Sequence, residues 1–184
     1  AEGIAVNSTA SLDHSHPGHL TVLGNPTEGA LLLWLNKNGI DYRTLRQDTS
    51  VLEEIPFSTE RKYMATLVSS SLFPGKRILY VKGAPEIVLA LSRQTERGVA
   101  KDEIDSQLLA YQNQAMRTLG FAYQIVDDKE NPIAGGQLQA SGLTFQGIVA
   151  ISDPVRADVP AAVRECMDAG ISVKSVTGDT PGTA

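Results

Sequence analysis

The spacing of apolar and polar positions divides this chain into short units. The run Arg77-Ile78-Leu79-Tyr80-Val81-Lys82 is apolar and β-prone, which predicts a buried strand. Pro85 then stands where a first helical turn would begin, and the pattern predicts a helix over 85–93. Two more β-prone runs, 51–58 and 63–70, precede it. Thr59-Glu60-Arg61-Lys62 and Leu72-Phe73-Pro74-Gly75-Lys76 are the connections, and their shortness predicts an antiparallel meander. Ahead of the meander the pattern predicts a helix or helix tail over 4–10, a polar loop through Ser15 and a short strand over 20–23. Gly24-Asn25-Pro26 reads as a turn, and Thr27 as the N-cap of a helix that runs to Lys37 and is stopped by Gly39. Leu31, Leu32, Trp34 and Leu35 supply its apolar face. After the meander a helix is expected over 101–118, with Ile104, Leu108, Leu109, Tyr111 and Ala115 inward. A strand over 119–126 and a polar excursion over 127–136 follow.

From Leu143 the pattern changes. An apolar strand over 143–151, the break Ser152-Asp153-Pro154, a helix over 158–169 and a strand over 171–176 read as a βαβ unit of a parallel sheet. The expected fold class is therefore α/β. Residues 1–150 form an α+β domain, a mainly antiparallel sheet flanked by helices, and 151–184 form the start of a second, Rossmannoid domain.

Composition narrows the classes. With 42% hydrophobic and 20% charged residues, 184 residues suffice for one sizeable core. A net charge of −5 without a basic run argues against nonspecific nucleic-acid binding. Cys166 is the only cysteine, so no disulfide framework or thiolate metal site is expected. No apolar run reaches the roughly 20 residues of a bilayer span. The chain opens inside an expected helix and stops in Pro181-Gly182-Thr183-Ala184, and it reads as an excised fragment.

The candidate chemistry sits at the strand-to-helix corner. Lys82 closes the strand, Gly83 and Ala84 remove bulk, and Glu86 lies in the helical turn, leaving a partly desolvated cation beside bare backbone. Phe57 precedes a charged turn and offers either a core residue or a platform for a flat ring. Arg117 introduces a strand. Glu28 occupies a first helical turn, where the dipole alone would justify a carboxylate. His14, His16 and His19 cluster without a recognisable ligand spacing and receive no role. No P-loop or G-x-G-x-x-G motif is present. An aromatic face with fixed cations is nonetheless the inventory for a nucleoside triphosphate.

Taken together, these segments resemble the P-type cation-transporting ATPases. Lys82-Gly83-Ala84-Pro85-Glu86 is similar to the K-G-A-P-E motif of the family's nucleotide domain. Ile55-Pro56-Phe57-Ser58 with Arg61-Lys62 resembles the segment of the adenine-stacking phenylalanine. Thr27-Glu28-Gly29-Ala30-Leu31 resembles the helix start whose glutamate approaches adenine, and Met116-Arg117-Thr118-Leu119 the segment whose arginine reaches the phosphates. Asp153-Pro154-Val155-Arg156 is similar to the hinge motif D-P-x-R, and Thr177-Gly178-Asp179 to the T-G-D of the phosphorylation domain. The subgroup resembled is the calcium-pump-like one. Thr59 departs from it where animal calcium pumps often carry arginine, and Val155 replaces a frequent proline.

The resemblance implies a nucleotide-binding domain followed by a partial haloacid-dehalogenase-like phosphorylation domain. It implies ATP as ligand, with Glu28, Phe57, Lys62, Lys82, Gly83 and Arg117 around it, and Mg2+ as cofactor of the full-length enzyme. Asp153, Arg156, Thr177, Gly178 and Asp179 would serve the phosphate side. The phosphorylated aspartate of the D-K-T-G-T motif is not in this sequence, so no catalytic residue is expected here and the chain alone should bind ATP without turning it over. The implied partners are the remaining phosphorylation, actuator and transmembrane parts of a pump, with no nucleic acid and no direct membrane contact. The implied place is the cytoplasmic side of an integral membrane protein, in the plasma or bacterial inner membrane, with calcium as the expected ion. Two other classes stay open: a stand-alone haloacid-dehalogenase-like phosphatase, for which Asp13 in a polar segment is a poor nucleophile, and an interaction module without a ligand.

Overall fold

A computed structural model describes residues 1–16, 19–70, 72–127, 129–152, 156–174 and 176. Helix α1 (Glu2–Val6) leads into an antiparallel hairpin of β1 (Ser11–His16) and β2 (His19–Leu23). Helices α2 (Pro26–Lys37) and α3 (Tyr42–Gln47) follow. Then come β3 (Ser50–Ile55), β4 (Tyr63–Ser69), β5 (Arg77–Gly83), α4 (Pro85–Leu91), the short β6 (Gln94–Thr95) and α5 (Lys101–Gln112). Strand β7 (Arg117–Val126), the small hairpin of β8 (Ile133–Ala134) and β9 (Gln137–Leu138), β10 (Thr144–Ile151) and α6 (Val159–Asp168) complete the chain.

The central sheet has the order β3-β4-β5-β7-β10-β6, antiparallel throughout except where β10 meets β6. The expected meander is therefore present. Register sorts the side chains of β4 and β5 by face, because successive residues of a strand point to opposite sides. Ala65 and Leu67 lie beside Val81 and Leu79 on the face packed by Val88 and Leu89 of α4 and Ile104 of α5. Phe145, Leu143 and Ile133, almost fully buried, extend that core. Each such side chain contributes about 1.5–3 kcal/mol of burial. Met64, Thr66 and Val68 lie beside Lys82, Tyr80 and Ile78 on the opposite face, which the α1 end of the molecule covers through Val6. A separate core joins α1, the β1–β2 hairpin, α2 and α3 around Leu12, Leu32, Leu35 and Tyr42.

Several expectations need correction. The polar segment before Leu20 is the β1–β2 hairpin, not a loop, because Leu12, Leu20 and Val22 pack against the second core. Asn25, not Thr27, caps α2: its Oδ1 accepts from Thr27 N–H at 2.9 Å and from Glu28 N–H at 3.3 Å, with Pro26 opening the helix. Trp34 is 53% exposed instead of joining Leu31, Leu32 and Leu35. Helix α5 stops at Gln112, and Ala115 takes a left-handed backbone, φ 55°, that turns the chain into β7. Ile104 and Leu108 are its buried positions, whereas Leu109 is exposed.

The expected βαβ unit is not present among the described residues. Strand β10 runs antiparallel to β7 in the main sheet, and only its first two residues, Thr144 and Phe145, have a second neighbour, β6. Residues 171–174 are not in a strand, and α6 has no buried residue. Asp153, Thr177, Gly178 and Asp179 lie outside the described residues.

Candidate functional site

The corner after β5 is shaped by close backbone approach. Ala84 N–H donates to Lys62 O at 2.9 Å, drawing the start of β4 onto the β5–α4 corner. A Cβ at position 83 would stand 2.2 Å from Lys62 O and 2.6 Å from Tyr63 Cα, so only glycine fits. A Cβ at Gly120 would come within 2.8 Å of Pro85 Cα, so a second glycine lets α4 settle on β7. Pro85 occupies the first helical turn, as its fixed φ favours.

Lys82 enters from β5 on the face covered by α1, and it is 4% exposed. Its Nζ donates to Glu28 Oε1 at 2.7 Å and to the Asn7 carbonyl. Glu28 Oε2 accepts from Thr9 N–H and Thr9 Oγ1, both at 2.8 Å, from Ala10 N–H at 3.0 Å and from Ser8 Oγ at 3.2 Å. The carboxylate thus ties the 8–10 segment to the sheet. Asn7 is held in turn, accepting from Thr66 Oγ1 at 3.0 Å. Arg46 donates to the carbonyls of Ala5, Ser8 and Ala10 at 2.7–2.9 Å. Burial pulls the Lys82 ammonium below the usual lysine range, partly offset by Glu28. Burial would raise Glu28, but the Lys82 and Thr9 hydrogen bonds and the Lys82 charge outweigh it and hold the carboxyl below its ordinary value. The desolvation expected at Lys82 is present, and the amine already has two acceptors.

Phe57 lies just past the end of β3 and is 56% exposed, so it is not a core residue. Its loop is closed by three bonds. Lys62 N–H donates to Ser58 O at 2.8 Å, Arg61 N–H to Ser58 Oγ at 3.1 Å, and Arg61 Nη2 to Pro56 O at 2.9 Å. Lys62 takes a left-handed backbone, φ 59°, a strained choice for a residue with a Cβ. From the other side Arg117 Nη1 donates to Thr27 Oγ1 at 3.0 Å, joining the start of β7 to the start of α2.

These segments enclose a cavity of about 570 Å³ lined by Glu28, Phe57, Lys62, Lys82, Gly83 and Arg117 among others. All six residues expected at the nucleotide thus share one concavity. Its charged lining is Glu28, Lys62, Lys82, Glu86 and Arg117. Glu28 and Lys82 neutralise each other, and Lys62 and Arg117 are the further cations of the lining. An exposed ring on one wall and two long cationic side chains suit a flat heterocycle bearing phosphates. A cleft of about 620 Å³ on the sheet is lined by Tyr80, Tyr123, Glu96 and Arg97 among others, where the one cation stands beside a carboxylate. Chemistry, not volume, distinguishes the two.

The remaining phosphate-side candidate, Arg156, is exposed and pairs with Asp158 at 2.7 Å, outside the cavity lining. Sequence reasoning gave no role to Asn7, Thr9, Arg46 or Arg61. Only Arg61 carried a signal, its place beside Lys62 in the turn after Phe57; the others matter through contacts between distant segments. No group of His, Cys, Asp or Glu among the described residues is arranged to hold a metal ion by itself. No helix among them is long and apolar enough to cross a membrane.

Residues 1–158 match the family model described as P-type ATPase, cytoplasmic domain N. The chain is similar to the calcium-transporting ATPase PAT1 of Dictyostelium discoideum, 38% identical over 196 residues, covering 100% of this chain and 17% of that protein. It is similar to the cation-transporting ATPase pma1 of Synechocystis, 36% identical over 169 residues, covering 89% of this chain and 18% of that protein. A calcium-transporting ATPase of Bacillus subtilis is 33% identical over 178 residues, covering 91% of this chain and 19% of its own length. The chain therefore spans less than a fifth of each of these relatives. With the sheet, the glycine-seated corner and the shared cavity in place, the match over 1–158 has one consequence: the chain belongs to the P-type ATPase cytoplasmic N-domain family.

Proposed function

We propose that the cavity binds ATP and presents it to a phosphorylation site elsewhere in a cation pump. The observation that carries this reading is the convergence of Glu28, Phe57, Lys62, Lys82, Gly83 and Arg117 on one cavity from four separate stretches of chain. The base would stack on Phe57, and the phosphates would extend toward Lys62 and Arg117. Glu28 and Lys82 form the floor, where Glu28 meets the adenine edge only through whatever acceptor capacity its five donors leave. Mg2+ would travel with the phosphates.

In the whole protein the γ-phosphoryl would pass to an aspartate of the D-K-T-G-T type, absent from these 184 residues. Asp153, Arg156, Thr177, Gly178 and Asp179 would belong to that phosphate side. The chain's own contribution is binding and orientation. The calcium-transporting relatives support calcium as the ion moved, and a cytoplasmic place beside a membrane-embedded remainder.

A titration of the chain with ATP, followed by backbone NMR, tests the proposal. Shifts should concentrate at 57–62, 82–86 and 117–119. Shifts confined to the cleft at Tyr80 and Tyr123, or no saturable binding, would refute it.

A further inference from the structure

The wall of the cavity that carries Phe57 is a loop, and an exposed ring on a loop stacks well only if the loop is already closed. Three features show how this one is held. Arg61 reaches backward across its own loop, its guanidinium donating to Pro56 O and its backbone N–H to Ser58 Oγ, so one residue fastens both sides of Phe57. The Arg61 Nε is buried and has no hydrogen-bond partner among the described residues. A guanidinium retained for surface charge would keep that group in water, since burying an unpaired donor costs free energy. Arg61 is also not among the residues lining the cavity, whereas Pro56, Phe57, Thr59 and Lys62 are. Its charge sits behind the ring-bearing segment and not on the ligand.

We propose that Arg61 is a positioning residue that sets the stacking ring of Phe57 and makes no contact with the nucleotide. This inference rests on the ATP-binding reading above. It separates two neighbours in the same turn. Lys62 is held independently through its carbonyl, which accepts from Ala84 N–H at 2.9 Å on the β5–α4 corner. Loosening Arg61 should therefore release the ring while the lysine keeps its place for phosphate. Arg61 acts on the base, and Lys62 acts on the charge.

The test compares ATP with inorganic tripolyphosphate, which has the charge and no base, by NMR titration of wild type, Arg61→Met, Ser58→Ala, Phe57→Ala and the Phe57→Ala/Arg61→Met double variant. Arg61→Met should weaken ATP about five- to twentyfold, the lower part of the range of a lost base stack, and leave tripolyphosphate within about twofold. The double variant should bind ATP no more weakly than Phe57→Ala alone. Ser58→Ala, which removes one of the two anchors, should give the same pattern at smaller size, and it answers the question if Arg61→Met fails to fold. Equal losses for ATP and tripolyphosphate would make Arg61 a charge contact and overturn the proposal, as would additive losses in the double variant or no loss for ATP. Wild type that binds neither ligand would overturn the nucleotide reading and this inference with it.

Discussion

Glu28 and Lys82, 54 positions apart in the chain, meet in a buried ion pair of 2.7 Å. One residue stands in the first turn of α2, the other at the end of β5. Their contact joins the helical core at the start of the chain to the central sheet, at the floor of the proposed nucleotide cavity. A pair so enclosed is costly to leave half made, because its attraction is what offsets the desolvation of both charges.

Glu28→Ala should therefore destabilise the fold by about 3–5 kcal/mol, since it strands a buried ammonium and the Thr9 and Ala10 N–H donors. Urea denaturation measures it. Glu28→Leu combined with Lys82→Met should recover only the share due to the stranded ammonium, because the Thr9 and Ala10 N–H donors stay unpaired, and a single variant as stable as wild type would show that the pair does not hold the two cores together.

The same pair gives an acid limb to stability. Glu28 titrates below its ordinary value of 4.5 when folded, so the unfolded chain binds the proton first as pH falls. Its contribution is complete above the unfolded carboxylate value and is lost as pH falls through the lower folded one. Unfolding free energy measured between pH 6 and about pH 3 should decline more steeply in wild type than in Glu28→Gln. Parallel profiles would assign the acid limb to other carboxylates.

Phe57→Ala should weaken ATP by about 1–3 kcal/mol. The cavity is open and its contacts few, so wild-type affinity is expected between about millimolar and high micromolar, near −4 to −6 kcal/mol. The ring is 56% exposed, so the urea midpoint should barely move. Calorimetry showing nanomolar binding, or a variant that loses stability and keeps affinity, would contradict this arrangement.

Gly83→Ala tests the corner. A Cβ there meets the Lys62 carbonyl and Tyr63 Cα well inside contact distance, and both belong to backbone that moves only with the sheet. A loss of about 1–3 kcal/mol is expected, with amide shifts spreading through 57–62. A neutral substitution would mean that β4 and β5 separate more easily than their register indicates.

Lys62→Gly separates stability from binding. Glycine relieves the left-handed backbone at φ 59° by about 1 kcal/mol, so the melting temperature should rise. ATP affinity should fall, because the cation is gone. Affinity unchanged in a more stable variant would remove Lys62 from the phosphate side.

Much of this site was legible in the chain, for a local reason. A strand that closes on Lys82, a glycine after it and a proline in the first helical turn are all encoded within five residues, 82–86. Phe57, Lys62 and Arg117 stand at the ends of β-prone runs, where side chains of a sheet reach its rim. The meander was legible because its turns are short. The reading failed where a distant partner decides the outcome. The segment before Leu20 looks polar until Leu12, Leu20 and Val22 find α2, and β10 looks like a parallel strand until its partner proves to be β7. An apolar run is silent on the direction of its neighbour.

By itself, then, the sequence determined most of the elements around the cavity and the residue types that line it, because turns and alternation act over a few positions. It determined the family too, through motifs in order along 1–158. Only the tertiary structure decided that Glu28 spends five hydrogen bonds inside the protein, that Asn7 and Arg46 bond the segments around it, and that Arg61 bonds Pro56 and Ser58 on either side of Phe57. A carboxylate in a first helical turn has the same local signature whether it faces ligand, water or a lysine 54 residues away. The choice among these is made by which surfaces close on each other, and that closure is a property of the packed cores.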